Sequence, residues 1–172
     1  MKIDLHCHST CSDGTYAPTE VVQRAHNAGI HVLALTDHDT LMGIDEARTA
    51  AAACDIQLIN GVEISCEHTL RGGYGKNKST NKIIHVLGLD FSDREKMHAT
   101  LQQLQDSRAT RGQRITEKLS ELLDIDYAEL WQAVLDKAGG NPQAVGRAHI
   151  GQVLFERGAV KTVQKAFDKY LA

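Results

Sequence analysis

Four short apolar runs in the first ninety residues each end in, or carry near an end, a histidine or a carboxylate. They are Ile3–His8, Ile30–Thr36 leading into Asp37, His38 and Asp39, Ile56–Ile64 carrying Glu63, and Lys82–Leu89 carrying His85. Runs of this length bounded by turn residues read as strands, and one that is apolar throughout, like Ile30–Thr36, reads as a strand buried on both faces of a parallel sheet. The stretches between the first three are helical. Pro18 and Glu20 suit a first helical turn, Val21, Val22, Ala25 and Ala28 form an apolar face that Gly29 ends, and Gly43–Ala53 is alanine-rich. Strand, helix, strand, helix, strand is the order of right-handed βαβ units, whose sites lie at the carboxyl ends of the strands. Such a fold gathers His8, Asp13, His38 and Glu63 in one place.

The opening stretch DLHCHSTCSDG spans Asp4 to Gly14. His6 and His8 share a face of an extended chain, with Ile3, Leu5 and Cys7 on the other. Asp13 and Gly14 form a turn that swings a carboxylate back toward the two rings. A lone His-x-His pair is common without a metal; the three later strand endings give this one its weight. Mixed imidazole and carboxylate donors suit manganese, iron or zinc, whereas an all-oxygen set suits magnesium or calcium. Three or four histidines with two acids exceed what one ion needs. At least two ions sharing Glu63 are expected, the arrangement used for phosphate ester hydrolysis.

With 172 residues, 42% of them hydrophobic, the chain can bury one substantial core and a small second unit. A formal charge of −3 argues against a broad nucleic-acid coat and sequence-specific DNA binding. The four cysteines show no CxxC pairing, no apolar signal precedes Ile3, and no run approaches the roughly 18 apolar residues of a membrane span. These features predict a cytoplasmic protein with free thiols. Cys7 and Cys11 are poor zinc candidates, because Cys7 should point away from His6 and His8.

From Cys66 to Lys82 the chain is glycine-rich and carries Arg71, Lys76, Lys78 and Lys82, which reads as a loop: a mobile insertion, or a basic lid over an anionic substrate. Beyond Asp90 only helices are expected. Ser92 is the predicted cap of a helix to about Leu123, with Leu101, Leu104, Ile115, Leu119 and Leu122 marking its buried side. Further helices cover 126–138, 147–157 and 161–171. The expected division is therefore 1–90 and 91–172. Arg108, Arg111, Arg114 and Lys118 line one helix face, by default a solvated one, alternatively a phosphate-binding stripe. Arg147 and His149 sit at a helix start, a natural anion site.

DLHCHSTCSDG, TDHD, GVEIS and HVLG, in this order, resemble the PHP (polymerase and histidinol phosphatase) family. The helical stretch after HVLG and the segment GRAHIGQVLFERG resemble its branch containing RNase AM and the 3′,5′-nucleoside bisphosphate phosphatases. The resemblance covers the chain apart from the segment between Arg71 and Lys82. It implies an α/β fold, the N-terminal part of a distorted (β/α)7 barrel followed by an all-helical insertion subdomain. It also implies hydrolysis of nucleotide phosphate esters by metal-activated hydroxide, on a bisphosphonucleotide or on short RNA from its 5′ end. By the same resemblance, His6 and His8 hold a first divalent metal and Asp13 and His38 a second. Glu63 bridges the first to a third, which His85 also holds; manganese is the leading candidate, with zinc, iron and magnesium as alternatives. Arg147 and His149 bind substrate phosphate, and Asp37 and Asp39 orient His38.

The family pattern continues past the insertion with a histidine in an HP motif and a closing Asp-x-His, and this sequence carries four strands of an expected seven. That departure predicts an incomplete metal site and weak or absent catalysis, and it marks either a fragment of an active phosphoesterase or a half-barrel that self-associates through its open barrel edge. The alternative to an active phosphoesterase is a noncatalytic metal-binding half-barrel module. An amidohydrolase-type deaminase shares the opening His-x-His but normally uses a lysine or carboxylated bridge.

Overall fold

The computed structural model describes residues 1–70 and 80–171. The first elements are β1 (Ile3–Cys7), α1 (Pro18–Asn27), β2 (Val32–Leu35), α2 (Ile44–Ala53), β3 (Gln57–Leu70) and β4 (Thr80–Leu89). They form one sheet in the order β1-β2-β3-β4. All four residues of β2 are buried, as its unbroken apolar run requires. Val22, Leu33, Leu35, Ile44, Ala47, Ala51 and Val62 build the core around it, each of the larger side chains contributing roughly 1.5–3 kcal/mol on leaving water. α1 begins on Pro18 and ends where Gly29, at φ 75°, lets the Ile30 N–H return to the Ala25 carbonyl. Ala28 is exposed rather than part of the apolar face, because it lies at the cap beyond the last helical turn.

β1, β2 and the start of β3 are parallel, as the βαβ pattern predicts. β4 is not: it runs antiparallel to β3 from Gly61↔Leu89 to Leu70↔Thr80. A hairpin needs no crossover helix, which explains why no helical stretch separates these two runs in the sequence. Much of the expected loop from Cys66 to Lys82 is therefore strand. The segment with Arg71, Lys76 and Lys78, and with it any basic lid, lies outside the described residues. On the two outer strands, Ile3, Leu5, Ile84 and Val86 are exposed.

The helical part comprises α3 (Arg94–Leu123), α4 (Tyr127–Lys137), a 3-10 turn (Pro142–Ala144), α5 (Arg147–Glu156), α6 (Val163–Ala166) and a π turn (Phe167–Leu171). Asp93, not Ser92, caps α3, its carboxylate accepting the Lys96 N–H at 2.9 Å. The cap must lie three residues before that amide, and Ser92 is one residue too early. α3 serves two cores. Met97, Leu101 and Leu104 pack on the sheet, while Ile115, Leu119 and Leu123 join Leu130, Val134, Ile150 and Leu154. Leu122 departs from the predicted buried side at 67% exposure, on the rim of a groove between α3 and the π turn. Among the described residues no helix is long and apolar enough to cross a membrane.

Candidate metal centre

β1 stops at Cys7, and His8 opens a loop that folds straight back on itself. A Cβ on Gly14 would collide with the His8 carbonyl group and the Ser9 nitrogen, so the turn requires glycine. The return brings Asp13 Oδ1 to 3.6 Å from His8 Nδ1 and Asp13 Oδ2 to 3.6 Å from His38 Nε2. His38 follows the end of β2 and pairs with Glu63 through a single parallel bridge. Close approach of β3 is allowed by Gly61, where a Cβ would come within 2.6 Å of the Leu35 carbonyl oxygen.

Glu63 is the hub, its side chain 8% exposed. Its Oε2 lies 2.8 Å from His6 Nε2, 3.0 Å from His8 Nε2 and 3.7 Å from His38 Nδ1, and its Oε1 lies 2.7 Å from His85 Nδ1. Burial raises the Glu63 carboxyl, but hydrogen bonds from His6 and His85 and the charges of His38 and His8 outweigh it, holding the group below the usual carboxylate range. For His38, burial and the positive charges of Arg108 and His8 prevail over Asp13 and Glu63 and lower its pKa. A neutral imidazole keeps a lone pair for a ligand.

These residues fit divalent cations on two counts. His6, His8 and Glu63, then His8, Asp13 and His38, then His38, Glu63 and His85 each bring ligand atoms within 4.8 Å of one another. In addition, His38 Nδ1 is buried without a hydrogen-bond partner among the described residues, a state that a metal ligand accounts for. Cys7 takes no part: its Sγ donates to the Ala34 carbonyl at 3.2 Å, and burial, with Asp4 and Asp37 nearby, pushes the thiol up to about 12.

The expectation that Asp37 and Asp39 orient the His38 ring is corrected by where their hydrogen bonds go. Asp37 accepts from the Ser9 N–H at 2.7 Å and from the hydroxyls of Ser9 and Ser12 at 2.6 Å, fixing the loop between His8 and Asp13. Asp39, with φ 57°, accepts from the Ser65 N–H and Oγ at 2.7 and 2.8 Å. Both therefore hold the backbones that carry other donors, and neither bonds to the imidazole among the described residues. The three serines were not singled out in the sequence, where nothing distinguishes a clamping serine from a loop serine.

The default of a solvated α3 face holds for exposed Arg114 and Lys118 and fails for Arg108. Arg108 is 5% exposed, with Nε 3.3 Å from Asp39 Oδ2. That contact is an ion pair without hydrogen-bond alignment, so Nε and Nη1 have no hydrogen-bond acceptor among the described residues. Gln105 Nε2 donates to the Asp39 carbonyl at 2.9 Å and ties the same helix to the same residue. Arg108, half-buried Arg111 and Arg147 line a pocket of about 290 Å³ together with Asp13, His38 and His85. Burial and the neighbouring guanidiniums of Arg108 and Arg147 lower the Arg111 pKa from its ordinary value. Arg147 opens α5; His149 is buried behind it, its Nδ1 accepting the Gly146 N–H at 3.1 Å.

The fold and the donor set together define an α/β protein of the metal-binding type, with three arginines in the same pocket as three of its candidate ligands. The family profile of the PHP domain matches residues 4–172. The chain is 42% identical over 171 residues to a 5′-3′ exoribonuclease of Haemophilus influenzae, across 99% of this chain and 56% of that protein. It is 36% identical over 175 residues to a 3′,5′-nucleoside bisphosphate phosphatase of Chromobacterium violaceum, across 99% and 55%. A solved amidohydrolase structure from Chromobacterium violaceum, with bound sulfate and no metal, superposes with TM-score 0.83 at 32% identity, across 100% of this chain and 56% of that one. The chain belongs to the PHP family. It spans about half the length of the curated relatives it matches.

Proposed function

We propose that the cluster is the centre of a metal-dependent phosphoesterase for nucleotide phosphate esters, cleaving the 3′-phosphate of a 3′,5′-bisphosphonucleotide or the 5′ end of short RNA. One observation carries the reading: two of the four imidazoles gathered around Glu63, His38 and His85, share a single pocket with Asp13 and three arginines. A phosphate ester needs cations on one side and hydrogen-bond donors on the other. The names of the exoribonuclease and bisphosphate phosphatase relatives support the same class.

In this reading His6, His8 and Glu63 hold one divalent ion, Asp13 and His38 a second with His8 in reach, and Glu63, His85 and His38 a third. The mixed imidazole and carboxylate donors suit manganese, iron or zinc; manganese is the leading candidate by resemblance to the family, with magnesium as a further alternative. Such ions supply a water of lowered pKa and neutralise phosphoryl oxygens. The chain's own residues do the positioning. Arg108, Arg111 and Arg147 bind the phosphate and orient it toward the histidines, and His149 fixes the first turn of α5 from which Arg147 projects. Four free thiols suit a reducing cytoplasm, and the exposed apolar residues of β1 and β4 suit self-association along those edges.

The test is metal content and phosphate release. The manganese-loaded chain should bind at least two ions and release phosphate from a 3′,5′-bisphosphonucleotide. Fewer than two ions ends two-metal catalysis by this chain, and an unchanged rate for His38→Ala ends the site assignment. A second reading, a metal-binding module without catalysis, is favoured by the three donors found in each triad, short of a full coordination shell; it requires bound metal with no phosphate release. The structural similarity to an amidohydrolase is addressed by assaying ammonia beside phosphate.

A further inference from the structure

The arginine-lined pocket does not end at Arg111 and Arg147. The same two residues open a second groove of about 460 Å³, which continues along α3 past Ile115 and Lys118 to Leu122 and is closed on its far side by Lys169 and Tyr170 of the π turn. Arg114 and Lys118 flank its outer side with Arg111. Arg111, Arg114, Lys118, Arg147 and Lys169 thus form a strip of five cations on a chain whose formal charge is −3. Five surface cations elsewhere are paired, Arg24 with Glu20, Arg94 with Asp45, Lys137 with Glu156, Arg157 with Glu129 and Lys165 with Asp168, and those that are not, Lys2, Arg48, Lys96 and Lys161, are scattered rather than gathered along one groove. Among the described residues none of the five in the strip has a carboxylate within ion-pairing distance, and no acidic side chain lines the distal groove. Asp106, the acid that lines the flank, is engaged by Gln102 and Gln143.

The strip also has the apolar component that bases require. Ile115, Leu119 and Leu122 make one wall, and the half-buried Tyr170 ring offers a stacking surface with Lys169 Nζ 4.8 Å from its centroid. Basic residues along a groove with an aromatic platform are how sequence-tolerant proteins hold single strands. From Arg108 to Lys118 the helix rises about 15 Å, room for about four nucleotides at roughly 3.4 Å each. We propose that this groove is the track for the nucleotides downstream of the scissile phosphate, so that the site takes a single-stranded RNA and not only a mononucleotide. The proposal rests on the phosphoesterase reading for what happens at the metal end, but it concerns binding and is tested by binding.

The experiment measures fluorescence anisotropy of 5′-phosphorylated, 3′-labelled oligoribonucleotides of one to eight residues on the metal-free chain in EDTA. It compares the wild type with a double charge reversal, Arg114→Glu with Lys118→Glu, both exposed and outside the arginine pocket. Wild-type affinity should rise with length and level off near four or five residues. The double variant should bind the hexanucleotide at least tenfold more weakly at low salt. Its log–log salt slope should be shallower by about 1.4, two phosphate contacts at roughly 0.7 each. Release of phosphate from a mononucleotide bisphosphate by the manganese-loaded protein should be unaffected. Equal hexanucleotide affinity in wild type and variant, or no length dependence in the wild type, overturns the track. Displacement of the RNA by an acidic peptide at equal concentration and charge assigns the strip to a protein partner and also overturns it. If the manganese-loaded wild type releases no phosphate while the length dependence holds, the phosphoesterase reading fails and the track stands.

Discussion

At the end of the sheet Glu63 meets four imidazoles and Asp13 meets two, whereas on α3 Arg111 sits between Arg108 and Arg147. One region satisfies its charges internally and the other crowds charges of one sign. The first can form before any ligand arrives, because imidazole and carboxylate hold each other in place. The second is held by packing: Arg108 is pinned by burial and a single misaligned contact with Asp39. On the proposed reading, the contrast separates a region that exchanges protons for metal ions from one that holds an anion.

The strongest way to break the contrast is at its hub. Glu63→Gln should lower manganese stoichiometry below two and phosphate release by about 10³-fold, several kcal/mol of transition-state stabilisation; metal analysis and steady-state rates check it. Arg108→Met addresses the other region. Phosphate release should fall about 10²-fold with manganese stoichiometry nearly unchanged, while the loss of the buried partner of Asp39 lowers the melting temperature. Arg108→Lys, which keeps the charge beside Asp39 but not the guanidinium fork, should recover most of the melting temperature and little of the rate; recovery of both would make Arg108 a structural residue. Asp37→Asn acts behind the first region: one of its three donors loses an acceptor, costing about 1–3 kcal/mol in urea unfolding, and manganese should bind 10–100-fold more weakly. The smallest effect is in pH. His38 is depressed below 6.5, so the unfolded chain takes up the proton first. The stability of the metal-free protein should therefore hold above about pH 6.5 and decline below it. His38→Gln should flatten that decline in urea midpoints between pH 7.5 and 5.5.

His6, His8, His38 and Glu63 were legible in the sequence because an apolar run that stops at a polar residue marks a strand end, and parallel strand ends converge. Strand direction is not written in such a run. Nothing in Lys82–Leu89 distinguishes a parallel fourth strand from the antiparallel partner of β3, and a glycine- and lysine-rich stretch hides where pairing continues. On α3 the spacing placed Arg108 and Arg111 on one face, but periodicity describes a helix in isolation. Which face meets the sheet end is settled by Met97, Leu101 and Leu104 packing on the core. Asp37 and Asp39 were marked by flanking a ligand. Their partners, Ser9, Ser12 and Ser65, depend on a tertiary approach that no local pattern records.

Asp39 receives the Ser65 amide and hydroxyl from β3, lies against the Arg108 guanidinium, and offers its own carbonyl to Gln105. One residue therefore joins the strand of Glu63, the neighbour of His38 and the helix that carries the arginines. On the proposed reading, a shift that a cation imposed on the first two would act on the third through these contacts, and equilibrium linkage would make the action symmetric. The factor by which manganese tightened phosphate binding would then equal the factor by which phosphate tightened manganese binding, and cutting the Asp39 connection should bring both factors toward one together.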